Sequence, residues 1–205
     1  MKILVLFLIV ATFQLNAQNN LFQYNRTVFD DFGLSEEEIA DYKSEGSLSI
    51  FNKEKHNSRL ASKLFNLKVG QSIKLNKANK KKLTVLEKVN VEHYRLNYIF
   101  FDGSELEYED IEKQRNKILQ MAKTYSFPTL AQMYSMDMSK NRGGDSGWFK
   151  KRSVPQGFQD AALSSMRVAN ETFKVDLISE NWYYLISKSY SPILIEEILV
   201  LETPL

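Results

Sequence analysis

Near the middle of the C-terminal half the chain reads Gly143-Gly144-Asp145-Ser146-Gly147-Trp148-Phe149. Three glycines in five residues permit positive φ angles that other residues resist, so a tight turn beneath an aromatic pair is expected. Asp145 is placed to accept hydrogen bonds from nearby backbone amides. Trp148 and Phe149 are expected to pack on a sheet. The glycines read as structural and not as reacting groups. Residues 137–157 hold four of the eight glycines in the chain and form its loop-rich part.

Around this loop the apolar pattern alternates between helix and strand. Ser35 with Glu38 three residues on marks a capping-box start to a short helix, which Gly46 ends. Leu60, Ala61, Leu64, Phe65 and Leu67 fall mostly at helical spacing. Ser72–Leu75 and Leu83–Val89 predict two strands joined by the lysine-rich stretch Asn76–Lys82, which reads as a solvated turn. Arg95–Phe101 predicts a strand ended by Asp102-Gly103. A helix is expected over Glu105–Tyr125, and Ser126-Phe127-Pro128 stops it and starts a second, shorter one. A helix begins near Phe158, and strands follow at Thr172–Leu177, Tyr183–Ser187 and Ile193–Leu201. Residues 58–101 and 159–201 share one order of elements: helix, connector, strand, turn, strand, spacer, strand. That order fits a worn duplication or two α+β hairpins with similar patterning.

Composition bounds the function classes. Lys+Arg 27 against Asp+Glu 25 gives a net charge of +2, which supplies no electrostatic case for nucleic acid. Met1-Lys2, an apolar run from Ile3 to Phe13 and the small-residue ending at Ala17 have the pattern of a signal peptide, with cleavage expected after Ala17. The run is shorter than the roughly 20 residues a spanning helix needs, so stable membrane insertion after cleavage is not expected. Cysteine is absent, which excludes disulfides, thiolate nucleophiles, Cys-based metal sites and a lipoprotein anchor. A soluble, exported, periplasmic protein is the expectation.

From Arg95-Leu96-Asn97-Tyr98-Ile99-Phe100-Phe101, through Tyr134-Ser135-Met136-Asp137 and the glycine loop, to Val154-Pro155-Gln156-Gly157-Phe158 and Trp182–Ile186, the chain resembles the parvulin (rotamase) family of peptidyl-prolyl isomerases. The resemblance covers about ninety residues. It implies an α+β, parvulin-like fold: an antiparallel sheet of about four strands wrapped by about four short helices, preceded by a smaller α+β segment. The corresponding division is 1–17 signal peptide, 18–93 N-terminal α+β segment and possible degenerate partial repeat, 94–190 isomerase domain, and 191–205 strand extension.

The same resemblance implies the site. Asp137 takes the central polar position as a catalytic residue. Tyr98 and Tyr183 stand where the family commonly has histidines, and Val154, Phe158 and Ser146 line the substrate pocket, Ser146 in place of a common leucine. His56 and His93, the only histidines, lie outside the motif and read as ordinary polar residues. Isomerisation breaks no bond, so neither metal nor cofactor is expected. Expected partners are unfolded or extended polypeptide clients containing proline. The stretch Asp102–Glu107 is acidic, against selectivity for phosphorylated substrates. Two activities are compatible with these residues: an exported foldase that isomerises Xaa-Pro bonds, or a weak or inactive parvulin-fold chaperone that grips extended segments without turning them over.

Overall fold

A computed structural model describes residues 29–75, 80–164 and 166–205. The signal-peptide reading of 1–17, the lead-in up to residue 28 and residues 76–79 of the basic turn lie outside the described residues. No helix among the described residues is long and apolar enough to cross a membrane.

The fold is α+β, and the described residues form five α-helices and two antiparallel sheets. In chain order the elements are α1 (Glu36–Glu45), β1 (Ser47–Asn52), α2 (Arg59–Asn66), β2 (Ser72–Leu75), β3 (Lys81–Tyr94), β4 (Asn97–Asp102), α3 (Tyr108–Met121) and α4 (Phe127–Tyr134). They continue with β5 (Phe149–Lys150), α5 (Gln156–Ala162), β6 (Thr172–Leu177), β7 (Trp182–Ser187) and β8 (Ile193–Pro204). Local chemistry sets many of the boundaries. The Ser35 side chain accepts from the Glu38 amide while Glu38 reaches back to the Ser35 amide, the expected capping box. Ser58 and Ser126 cap α2 and α4, and Pro128 sits in the first turn of α4, where its missing N–H costs nothing.

One sheet runs β1-β8-β3-β2, with β5 added to the far end of β3; the other runs β4-β7-β6. An isolated bridge from Asn97 to Asp145 ties the glycine loop to the free side of β4. The second sheet is therefore three strands plus one bridged residue, where about four strands are expected from the sequence. β1 was not anticipated, and the 191–205 extension is β8, a central strand paired with both β1 and β3.

The two runs of similar patterning share their pairing as well as their order. The hairpin β2–β3 is completed by β8, and the hairpin β6–β7 is completed by β4, so each run lends its third strand to the other's sheet. The turn leading into each hairpin repeats in detail. Gly70 and Asn170 both have positive φ, 81° and 64°. Their amides donate to the Val85 and Lys188 carbonyls at 2.8 Å each, and the Gln71 and Glu171 side chains accept from the Lys68 and Val168 amides at 2.9 and 3.0 Å. Asparagine is the residue other than glycine that tolerates this conformation most readily.

Candidate active site

The two faces of the β4-β7-β6 sheet bury different cores. On one, α5 covers Tyr98, Phe100, Phe173, Val175, Trp182 and Tyr184. On the other, α3 and α4 cover Ile99, Phe101, Tyr183 and Leu185. The division follows from strand pleating: Tyr98 lies opposite Ile186 and Phe100 opposite Tyr184, so even-numbered residues of both strands share a face. Placing Tyr183 beside Tyr98 therefore needs correction. Tyr183 projects to the far face, with its ring 5.3 Å from that of Tyr108 and its hydroxyl donating to Asn181 at 3.3 Å. The tyrosine that faces Tyr98 is Tyr184, with ring centroids 5.9 Å apart.

Asp137 and Tyr98 do meet. The Tyr98 hydroxyl donates to Asp137 Oδ2 at 2.7 Å. The other oxygen, Oδ1, accepts from the Ser135 hydroxyl at 2.9 Å, the Ser139 hydroxyl at 2.5 Å and the Ser139 amide at 3.1 Å. Ser135 in turn accepts from the Phe100 amide at 3.0 Å, which locks the carboxylate to β4. Four donors thus surround the Asp137 carboxylate and fix its orientation against Tyr98. Burial, reinforced by the Asp137 charge, pushes the Tyr98 phenol well above its ordinary range, and burial does the same for Tyr184. Both remain neutral phenols throughout the physiological range.

Val154 and Phe158 pack in one cluster with Tyr98 and Tyr184. Phe158 on α5 meets the Tyr184 ring edge to face at 5.4 Å. Val154 belongs to the same cluster, and its carbonyl accepts from the Gln159 side chain at 2.9 Å, fastening the segment before α5 to the helix. Phe158 and Val154 are 0% and 1% exposed, so both walls are covered by their neighbours. Alongside, a cleft of about 1130 Å³ opens between Val154, Pro155 and Gln156 on one side and Leu177, Ile178 and Glu180 on the other.

The glycine loop shapes this face from below. Gly143, Gly144 and Gly147 all have positive φ, between 64° and 74°. Gly144 also presses on β4: its carbonyl accepts from the Tyr98 amide at 2.9 Å, and a Cβ there would lie 2.3 Å from the Tyr98 carbonyl oxygen. Asp145 accepts from the Gly147 amide and, through both carboxylate oxygens, from the Nε and Nη2 of the Arg95 guanidinium. Burial opposes its charge, but Arg95 and the amide prevail and hold the carboxyl below its usual range. Ser146 accepts from the Leu96 amide at 3.1 Å and donates to the Gly147 carbonyl, so it stitches the loop to β4 rather than walling a pocket. Phe149 is in the core as expected, whereas Trp148 stacks at the surface with Tyr190 and Arg95.

The sequence reading missed Tyr184 and the two serines beneath Asp137. Ser135 and Ser139 flank Asp137 two residues away on each side, a spacing open to inspection for a turn that closes on its own carboxylate. Tyr184 carried no such signal, since every residue of β7 is buried and alternation is invisible there.

A family model described as PPIC-type PPIASE domain matches residues 73–186, more than half of the 205-residue chain. Among solved structures, PrsA from Bacillus subtilis is 28% identical over 48% of this chain and 35% of its own, with a TM-score of 0.36. A PpiC-type peptidyl-prolyl cis-trans isomerase domain is 23% identical over 47% of this chain and 89% of its own, with a TM-score of 0.40. The chain thus spans about a third of the length of PrsA. No curated protein matches. The motif order, the glycine loop seated on Tyr98 and the family model covering β2 to β7 agree: the chain belongs to the parvulin family of PPIC-type peptidyl-prolyl isomerase domains.

Proposed function

We propose that this protein is an exported foldase that binds Xaa-Pro segments of unfolded clients against the Tyr98–Tyr184–Phe158 face and speeds their cis-trans isomerisation. The observation that carries this reading is the Tyr98–Asp137 hydrogen bond set beside the Val154–Phe158 wall. Rotation about Xaa-Pro has a barrier of roughly 20 kcal/mol and takes on the order of tens of seconds unaided. A site lowers that barrier by dehydrating the imide and favouring the twisted geometry, in which the nitrogen has lost conjugation. No proton need move, so phenols held in place serve where an imidazole's switch of protonation state is dispensable. The signal-peptide pattern at Met1–Ala17 supports export.

The closure of Val154 and Phe158 favours a second reading, in which the module grips extended segments without turning them over. A protease-coupled assay on a short proline peptide separates the two. For the foldase, the native protein gives a rate above background and Phe158→Ala lowers it at least ~10-fold, a loss of ~1.4 kcal/mol in transition-state stabilisation. Because both phenols keep their protons, the rate is expected to be flat from about pH 6 to 9. Tyr98→His with Tyr184→His is expected to raise it, whereas Tyr98→His with Tyr183→His is not. A background rate alongside suppression of client aggregation would leave the binding module standing and remove the foldase.

A further inference from the structure

The N-terminal sheet carries a hollow of its own. Where α2 meets β2, a cavity of about 520 Å³ is lined by Arg59, Leu60, Lys63, Ile73, Lys74 and Leu75. Its apolar part is continuous with the core of that sheet, since Leu60, Ile73 and Leu75 pack against Leu64, Leu83, Val85, Ile198 and Val200. Among the described residues β2 ends the sheet and pairs with β3 alone, so its outer backbone groups have no neighbouring strand there.

The rim has one sign of charge. Arg59 and Lys63 stand one turn apart on α2, and Lys74 adds a third cation from β2. None of the three has an ion-pair partner among the described residues. By contrast Lys81 and Lys88 of β3, and Lys53 just after β1, are paired with Glu196 or Glu202 of β8. An apolar hollow, a sheet edge and three uncompensated cations together select a ligand with the opposite pattern.

We propose that the α2–β2 hollow is a second polypeptide-docking site, which takes an extended client segment whose apolar side chain is flanked by carboxylates. The site lies outside the parvulin face and does not depend on proline, so it stands or falls independently of the isomerase reading. Its occupant presents a Leu- or Ile-sized group to Leu60, Ile73 and Leu75, and Asp or Glu to the cationic rim.

The test is fluorescence anisotropy of the whole protein with a labelled decapeptide of alternating Asp and Leu, free of proline, against a matched Lys and Leu peptide. The acidic peptide is expected to bind and the basic one at least ~10-fold more weakly. Arg59→Glu with Lys63→Glu is expected to weaken the acidic peptide ~10-fold or more and to reverse the preference. Leu60→Trp, which fills the hollow without altering charge, is expected to block both, and an unchanged urea midpoint shows that each variant is folded. Equal affinity for the two peptides, insensitivity to the charge reversal, or absence of binding would each overturn the proposal. So would self-association of the protein that the charge reversal abolishes, because the hollow would then receive a second copy.

Discussion

Arg115→Ala is expected to lower the unfolding free energy by about 3 kcal/mol and to reduce peptide turnover beyond what that loss of stability explains. Arg115 lies on α3 with a side chain 0% exposed, behind the strand that carries Tyr184. Its Nη1 donates to Asp176 at 2.5 Å and to the Tyr184 carbonyl at 3.2 Å, and the rest of the guanidinium grips Glu112. Burial works against the charge, but Asp176 and Glu112 outweigh it, and the group is held above even its ordinary value. Breaking a buried pair from one side costs about 3–5 kcal/mol. The lower end applies because the carboxylates of Glu112 and Asp176 retain 28% and 29% exposure and can be hydrated when the cation goes. Lysine offers a point charge and no planar fork, so Arg115→Lys is expected to recover less than half the loss. Urea unfolding supplies the measurement, and an unchanged slope with a lowered midpoint would mark a change in stability alone. A midpoint equivalent to less than about 0.5 kcal/mol of destabilisation would show that the clamp is dispensable.

Arg115 also illustrates where the sequence is legible and where it is not. The helix starts were readable because caps act within four residues: Ser35 with Glu38, and Ser126 with Pro128, announce their helices locally. Both hairpins, and the glycine loop that supports Tyr98, follow from turn residues in the same way. Pairing between strands so far apart in the chain follows no such rule, so the exchange of β4 and β8 between sheets was not readable. It determines the site nonetheless, because the register of β4 against β7 selects Tyr184 and rejects Tyr183. His93 is a comparable case. One polar residue in a strand reads as solvent-facing, yet it is 1% exposed and shares a buried network with Asn52 and Glu197. The three residues lie on three different strands, β3, β1 and β8, and only the assembled sheet brings them together.

That network makes the protein acid-sensitive in a defined window. Glu197 of β8 is 3% exposed; its Oε1 accepts from Asn52 at 2.8 Å and lies 3.2 Å from His93 Nε2, while Oε2 accepts from Lys150 at 2.9 Å. Lys150 also pairs with Asp31 at 2.9 Å. Burial alone would raise the Glu197 carboxyl, but the bonds to His93, Asn52 and Lys150 prevail and pull it from 4.5 down to about 2. A folded-state value below the unfolded one means that stability is fully present above about pH 4.5 and is lost as the pH falls through about 2. The displacement corresponds to about 3 kcal/mol at neutral pH. Glu197→Gln, which keeps the shape and removes the charge, is therefore expected to cost about 3 kcal/mol in urea unfolding at pH 7 and progressively less toward pH 2, flattening the acid limb. A cost independent of pH would mean that packing and not ionisation holds the junction. The consequence reaches the site along the chain. Lys150 is the last residue of β5 and lies four before Val154, so releasing it from Glu197 loosens the segment that sets Val154 and Phe158 against Tyr184. Loss of peptide turnover in the native protein should then precede global unfolding as the pH is lowered through the Glu197 transition, whereas Glu197→Gln should show the reduced turnover already at pH 7.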